Sequence, residues 1–105
     1  MRRGEIWVAD LPPPDGRRPA ILLMRNDAYT RRRYVIITPI TTRIRNLRTE
    51  VAVGAEEGLQ NPSVANMDVI LTVHKSLLLR RIGMLSPEKM HQVEAALHFA
   101  LGMEH

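Results

Sequence analysis

The chain contains no cysteine. That excludes a disulfide framework and any cysteine metal site, and it suits a reducing cytoplasm, the expected location. Aromatic residues are scarce: Trp7, Tyr29, Tyr34 and Phe99 are all there are. Some of these must serve the core, which counts against a module that reads nucleic acid purely by stacking bases on exposed rings. No apolar run approaches the roughly 18 residues that a membrane helix needs. The Ile6-Trp7-Val8 stretch behind Met1-Arg2-Arg3-Gly4-Glu5 is too short for a signal peptide. Lysine is nearly missing, with two against thirteen arginines, and acid is nearly missing from one region. Between Arg17 and Arg48 lie nine arginines and a single carboxylate, Asp27.

What is present is enough for one domain spanning residues 1–105. The 105 residues are 45% hydrophobic, sufficient for a real core, and carry a net charge of +4. Guanidinium groups grip phosphates in bidentate fashion and stack on bases, so an arginine-rich segment suits a nucleic-acid backbone. From charge alone a solvated basic face remains an equal alternative.

Hydrophobic patterning predicts a mainly β chain. Glu5 to Asp10 alternates as a strand, and Pro12-Pro13-Pro14-Asp15-Gly16 makes a stiff turn. Pro19 to Met24 is a continuous apolar run, the pattern of a buried strand. Asn26 to Tyr29 suits a short helical turn. Tyr34 to Ile40 is strongly β-forming, with Pro39 marking a bulge or the strand's end. Further strands are expected at Thr49 to Val53, Ser63 to Asp68, Val69 to Val73 and Arg80 to Met84, with a polar loop from Gly54 to Pro62. One helix is expected, with Ser86 as N-cap, Pro87 at the first helical position and Glu88 in the first turn. Met90, Val93, Leu97 and Leu101 form its core stripe, Ala95, Phe99 and Met103 form a second apolar set, and Gly102 ends it. Short strands plus one terminal helix indicate a small barrel of α+β type.

Four stretches, in order, resemble the MazF/PemK toxin family: Arg3-Gly4-Glu5-Ile6-Trp7, Arg18-Pro19-Ala20, Pro39-Ile40-Thr41-Thr42, and Arg81-Ile82-Gly83-Met84-Leu85-Ser86-Pro87-Glu88. Ser63 to Asp68 and Leu71-Thr72-Val73 fit the family's later strands. The resemblance covers nearly the whole chain. It implies an SH3-like, PemK-type β-barrel with a C-terminal α-helix, homodimeric. It implies a type II toxin that acts as a sequence-specific, metal-independent endoribonuclease, or mRNA interferase, and needs no cofactor. The expected partners are single-stranded RNA, a MazE-type antitoxin that covers the RNA groove, and a second copy of the chain.

In such enzymes the ribose 2′-hydroxyl attacks the adjacent phosphate and leaves a cyclic phosphate and a free 5′-hydroxyl. The resemblance matches Arg18 to the catalytic arginine and Thr41 to the catalytic threonine. A fixed guanidinium stabilises a five-coordinate phosphorus, and a threonine hydroxyl, which does not titrate near neutral pH, orients rather than takes the proton. Asp15, Arg17, Thr42, Arg43, Arg45 and Asp68 are candidate substrate contacts. Each has a plain alternative as a solvated charge or a turn residue.

The sequence also departs from the family. The loop after the first strand is short and proline-stiffened, and Asp15 is its only acid in place of the family's loop acid or histidine. Asn66 stands where some relatives have a basic group, and His74 where relatives often have aspartate. His91 and His98 share a helix face at a spacing of seven, which is not the usual metal-binding interval, and no metal is expected. Two other functions fit the same barrel: a non-nuclease toxin that binds DNA gyrase, which would not need Arg18 with Thr41, and a non-catalytic RNA-binding barrel.

Overall fold

The computed structural model describes residues 1–104. Strand β1 (Glu5–Asp10) folds back through the proline turn onto β2 (Arg17–Leu22), with Trp7 opposite Ala20 and Asp10 opposite Arg17. A single helical turn, α1 (Ala28–Arg31), leads into β3 (Tyr34–Thr41). Then come β4 (Glu50–Val53), β5 (Ser63–Asn66), β6 (Leu71–His74), β7 (Leu78–Met84) and the helix α2 (Pro87–Ala100). The strands form one antiparallel sheet in the order β4-β5-β3-β2-β1-β7, with β6 also paired to β3.

The sheet curls because β3 serves two partners in succession. It pairs with β6 as far as Ile37 opposite Leu71, then with β5 from Ile40 opposite Ala65. Pro39 lies at that switch, opposite Ala20 of β2. Its missing N–H therefore falls where the ladder changes hands, and β3 runs on to Thr41 instead of ending at the proline. Thr38, fully buried beside it, bridges the Asn66 and Val69 carbonyls with its hydroxyl at 3.3 and 2.9 Å.

Curling gives two apolar clusters. One lies under α2 and includes Ile6, Ile21, Ile40, Val51, Met67 and Val93. The other gathers Leu11, Leu22, Tyr29, Val35, Ile37 and Leu78. Each large side chain taken fully out of water contributes roughly 1.5–3 kcal/mol before entropy is counted. The two outer strands, β4 and β7, do not pair with each other. A 3₁₀ turn at Ala55–Glu57 covers the gap and presses its backbone on β7. A Cβ at Gly83 would stand 2.0 Å from the Glu57 carbonyl oxygen, and one at Gly58 would stand 2.5 Å from that of Ile82. The expected barrel is thus a curled sheet whose seam is closed by a turn packed on a strand, not by a strand ladder.

Several boundaries differ from the sequence reading. β2 begins at Arg17 and stops at Leu22, because the Asp10–Arg17 register extends the hairpin to the turn itself. The strand expected from Ser63 to Asp68 ends at Asn66, and Val69 and Ile70 lie in the turn before β6. In that turn the Val69 N–H donates to the Asn66 carbonyl. β7 begins two residues earlier than expected, at Leu78. The helix is capped as expected, with Ser86 accepting from the Lys89 N–H at 3.1 Å. Its buried residues are Val93 and Ala96. Met90 and Leu97 pack partly against the core, but Leu101, expected in the core stripe, is 55% exposed. The helix ends at Ala100, which still packs against the core, so Leu101 falls at the C-cap beyond it.

Candidate active site

The hairpin β1–β2 places Arg18 one residue beyond its turn. Within the turn the Leu11 N–H donates to the Gly16 carbonyl and the Asp15 N–H to the Pro12 carbonyl, both at 3.1 Å. Arg18 then reaches back, its Nε donating to the Asp15 carbonyl at 2.8 Å. The short proline turn therefore holds the guanidinium's inner nitrogen and leaves its outer nitrogens free to bind an anion. Thr41 comes from the far end of β3. Its Oγ1 accepts the Arg43 N–H at 3.1 Å, so its own proton remains available to another acceptor.

Arg18 and Thr41 open onto one cavity of about 300 Å³, whose wall also carries Asp15, Pro39, Arg43, Arg45, Glu50, Asn66 and Val69. Five of the eight residues singled out from the sequence thus come together: Arg18, Thr41, Asp15, Arg43 and Arg45. Three do not. Arg17 points along the exposed hairpin and pairs with Asp10 at 3.7 Å. Thr42, next along from Thr41, lines a separate cavity of about 400 Å³ with Val8, Pro19, Asn61 and Arg80. The alternation of side chains beyond β3 carries it to the other side. Asp68 is exposed and meets the buried Thr49, whose hydroxyl lies 3.1 Å from Asp68 Oδ2 and 2.7 Å from Asn66 Oδ1. That carboxylate holds a turn in place.

Glu50 was not singled out from the sequence. Its carboxylate accepts the Arg45 N–H at 3.1 and 3.2 Å and the Leu47 N–H at 3.3 Å. It thereby ties down the exposed loop that carries Arg43 and Arg45. Asn66 stands directly opposite Glu50 across the β4–β5 ladder. The only sequence signal was that register: pairing the Thr49–Val53 strand with the Ser63 strand would have brought both side chains to the end of β3. Among the described residues, His74 bonds Ser76 and lies at the other end of β3 from Thr41, and His91 sits 3.9 Å from Glu94 on the helix surface.

Among the described residues, two groups are displaced from their ordinary ionisation. Glu5 is buried, which pushes its carboxyl up. The indole N–H of Trp7 at 3.0 Å, the Arg2 N–H at 2.9 Å and the Arg81 guanidinium at 3.4 Å outweigh this and bring it below the usual range. Burial of Tyr29 pushes its phenol up to about 12, and its hydroxyl donates to the Met24 carbonyl at 2.9 Å. Both lie outside the cavity, in the framework that holds β1 and α1.

Comparison with known proteins bears on the whole chain. The family model for PemK-like, MazF-like toxins of type II toxin–antitoxin systems matches residues 2–101. The chain is 33% identical over 100 residues to a probable endoribonuclease, MazF5, of Mycobacterium tuberculosis, covering 94% of this chain and 91% of that protein. Its fold is similar to that of the Mycobacterium tuberculosis toxin MazF-mt6, with a TM-score of 0.89 at 34% identity over 96% of this chain and 99% of the other. It is also similar, with a TM-score of 0.88 and 28% identity, to a mycobacterial endoribonuclease solved in complex with its cognate antitoxin, over 100% of this chain and 98% of that one. With the curled antiparallel sheet, the C-terminal helix and a match over nearly its full length, the chain belongs to the PemK-like, MazF-like toxins of type II toxin–antitoxin systems.

Proposed function

We infer that this chain is a sequence-specific, metal-independent endoribonuclease that cleaves single-stranded RNA at the Arg18–Thr41 cavity. The observation that carries the reading is the convergence of Arg18 and Thr41, from different strands, on one arginine-walled cavity. The substrate brings its own nucleophile, since the ribose 2′-hydroxyl lies next to the phosphate it attacks. The O2′–P bond forms and the P–O5′ bond breaks, and the leaving 5′-oxygen takes a proton from solvent, giving a 2′,3′-cyclic phosphate and a 5′-hydroxyl, so no metal-activated water is required. Arg18 stabilises the charge that builds up on the phosphorane, and the Thr41 hydroxyl donates to a non-bridging oxygen. Arg43 and Arg45 bind flanking phosphates. Two carboxylates stand on the cavity wall. Glu50 is committed to the amides of Arg45 and Leu47, which leaves Asp15 to take the 2′-hydroxyl proton.

A second copy of the chain and a MazE-type antitoxin are the protein partners of this reading. Two-fold symmetry would repeat the arginine-rich segment and lengthen the basic groove. An antitoxin lying in that groove would block the RNA. Both follow the family and the relative solved with its cognate antitoxin.

The test is to incubate the purified protein with a long single-stranded RNA in EDTA and map the cut sites and their ends. Cuts at one short motif with 5′-hydroxyl ends are expected. Thr41→Val should slow cleavage about tenfold, as one lost hydrogen bond to a charged oxygen would. Intact RNA from the folded protein would overturn the reading.

A further inference from the structure

Away from the cavity, at the opposite end of β3, stands a second group of residues with nucleic-acid chemistry. Tyr34 is 58% exposed, unusual for a large ring on a central strand. Its ring meets that of His74, across the β3–β6 pair, at 5.3 Å and 82°. Immediately before it, Arg31, Arg32 and Arg33 are all exposed, and none makes an ion pair among the described residues. Elsewhere on the surface, Arg3, Arg17, Arg25, Arg48 and Arg81 each have a carboxylate partner.

The framework under these residues is pinned. Lys75 Nζ donates to the Tyr29 carbonyl at 2.7 Å, and its N–H donates to the Arg33 carbonyl at 2.9 Å. The Arg32 N–H closes α1 on the Ala28 carbonyl at 2.8 Å. Ser76 fixes the imidazole, its N–H donating to His74 Nδ1 at 3.1 Å. An exposed aromatic ring beside three unpaired guanidiniums on a fixed backbone is the combination that holds single-stranded nucleic acid: base stacking plus phosphate neutralisation.

We propose that Tyr34, His74 and Arg31–Arg33 form an accessory site for single-stranded RNA, engaging substrate at a distance from the cut. It rests on the reading of the chain as an RNA-cleaving enzyme. Tyr34 is seven residues from Thr41 along β3, roughly 20 Å at about 3.3 Å per strand residue, and the odd spacing puts the two side chains on opposite faces of the strand, so an RNA that meets both must pass round the sheet. Only an RNA extending several nucleotides beyond the scissile bond reaches both. The site adds affinity by coupling two contacts on one strand and carries no chemistry of its own.

Binding is read by fluorescence anisotropy with 2′-O-methyl oligouridylates, which lack the attacking hydroxyl, of about 16 and about 4 nucleotides, within the range one site covers. The Arg31→Gln/Arg32→Gln/Arg33→Gln variant should bind the long oligomer at least tenfold more weakly. Its log K against log salt slope should fall by about two, the value for three phosphates on a single strand. Tyr34→Ala should weaken binding about tenfold, and Tyr34→Phe should restore it because the stacking face remains. The short oligomer should bind all variants alike. Long-oligomer affinities within twofold of the unmodified chain, in variants with unchanged circular dichroism, would overturn the proposal. Unchanged RNA affinity with lost antitoxin capture would likewise overturn it and give the patch to a protein partner. Because the probes cannot be cut, an absence of ribonuclease activity would refute the cleavage reading while leaving this result legible.

Discussion

Glu5 and Tyr29 make the fold's stability depend on pH with opposite signs. The Glu5 carboxyl lies below its ordinary value in the folded chain, so the ionised form is favoured by folding. Its stabilisation is present above the unfolded value and is lost as pH falls through the folded one. Tyr29 is the reverse. Its phenol is raised to about 12, so its stabilisation is complete below the unfolded value near 10 and is lost as pH rises toward 12. Thermal melts across pH should show stability falling on both flanks. Glu5→Gln should flatten the acid flank and Tyr29→Phe the alkaline one, each at some cost near neutrality because a buried hydrogen bond goes. A Glu5→Gln acid flank as steep as that of the unmodified chain would refute the assignment. Single residues were read unevenly from the sequence. The resemblance pointed to Arg18 and Thr41 together, and the fold brings both to one cavity from strand ends. Asp68, open in sequence to a role as RNA contact or turn carboxylate, lies outside the cavity and bonds Thr49, because a turn carboxylate facing a threonine looks the same in sequence as one facing RNA. Tyr34 gave no hint in sequence whether it was core or exposed, since it opens a strongly β-forming strand and only the fold places it at 58% exposure.

At the scale of the elements, two contacts decide whether the site is held. The first is the seam, where the 3₁₀ turn after β4 meets β7. Gly83→Ala would force a methyl into the Glu57 carbonyl, a backbone atom that cannot swing aside. A loss of more than about 3 kcal/mol in denaturant unfolding is expected, the upper end for overpacking. A loss below about 1 kcal/mol would mean that the seam is looser than described. The second is the loop from Thr42 to Thr49, rich in arginine and held by Glu50. Glu50→Ala frees two amides and should cost about 1–2 kcal/mol, with KM rising and kcat nearly unchanged, since the loop binds without reacting. Glu50→Gln keeps an acceptor oxygen and should recover most of the KM. A pure kcat effect would place Glu50 in the chemistry instead. Most elements were legible because alternation, the Ser86-Pro87 cap and the proline turn are local signals. The seam and the partner switch at Pro39 were not, because both depend on which strand meets which. The Leu101 error has the same origin: helical spacing gives the stripe but not where the packing beneath it stops.

At the scale of the whole molecule, the uneven charge acquires a location. The arginines between Arg17 and Arg48 divide into a set at the cavity (Arg18, Arg43 and Arg45) and a set at the far end of β3 (Arg31 to Arg33). Others, such as Arg25 and Arg48, are paired to carboxylates and serve the surface. Composition gave the total, and only the fold sorts it. The antiparallel curl brings the Arg18 and Thr41 strand ends together although 22 residues of chain separate them. The central claim is that this convergence performs the cleavage. It is tested most directly by single-turnover cleavage, in EDTA, of an RNA oligomer that the unmodified chain cuts, alongside Arg18→Ala. The account predicts a rate lower by about 10²–10³ or more, the loss expected when one preorganised donor to the transition state is removed, with the fold and the RNA affinity largely kept. An Arg18→Ala chain that cleaves at the unmodified rate would contradict it.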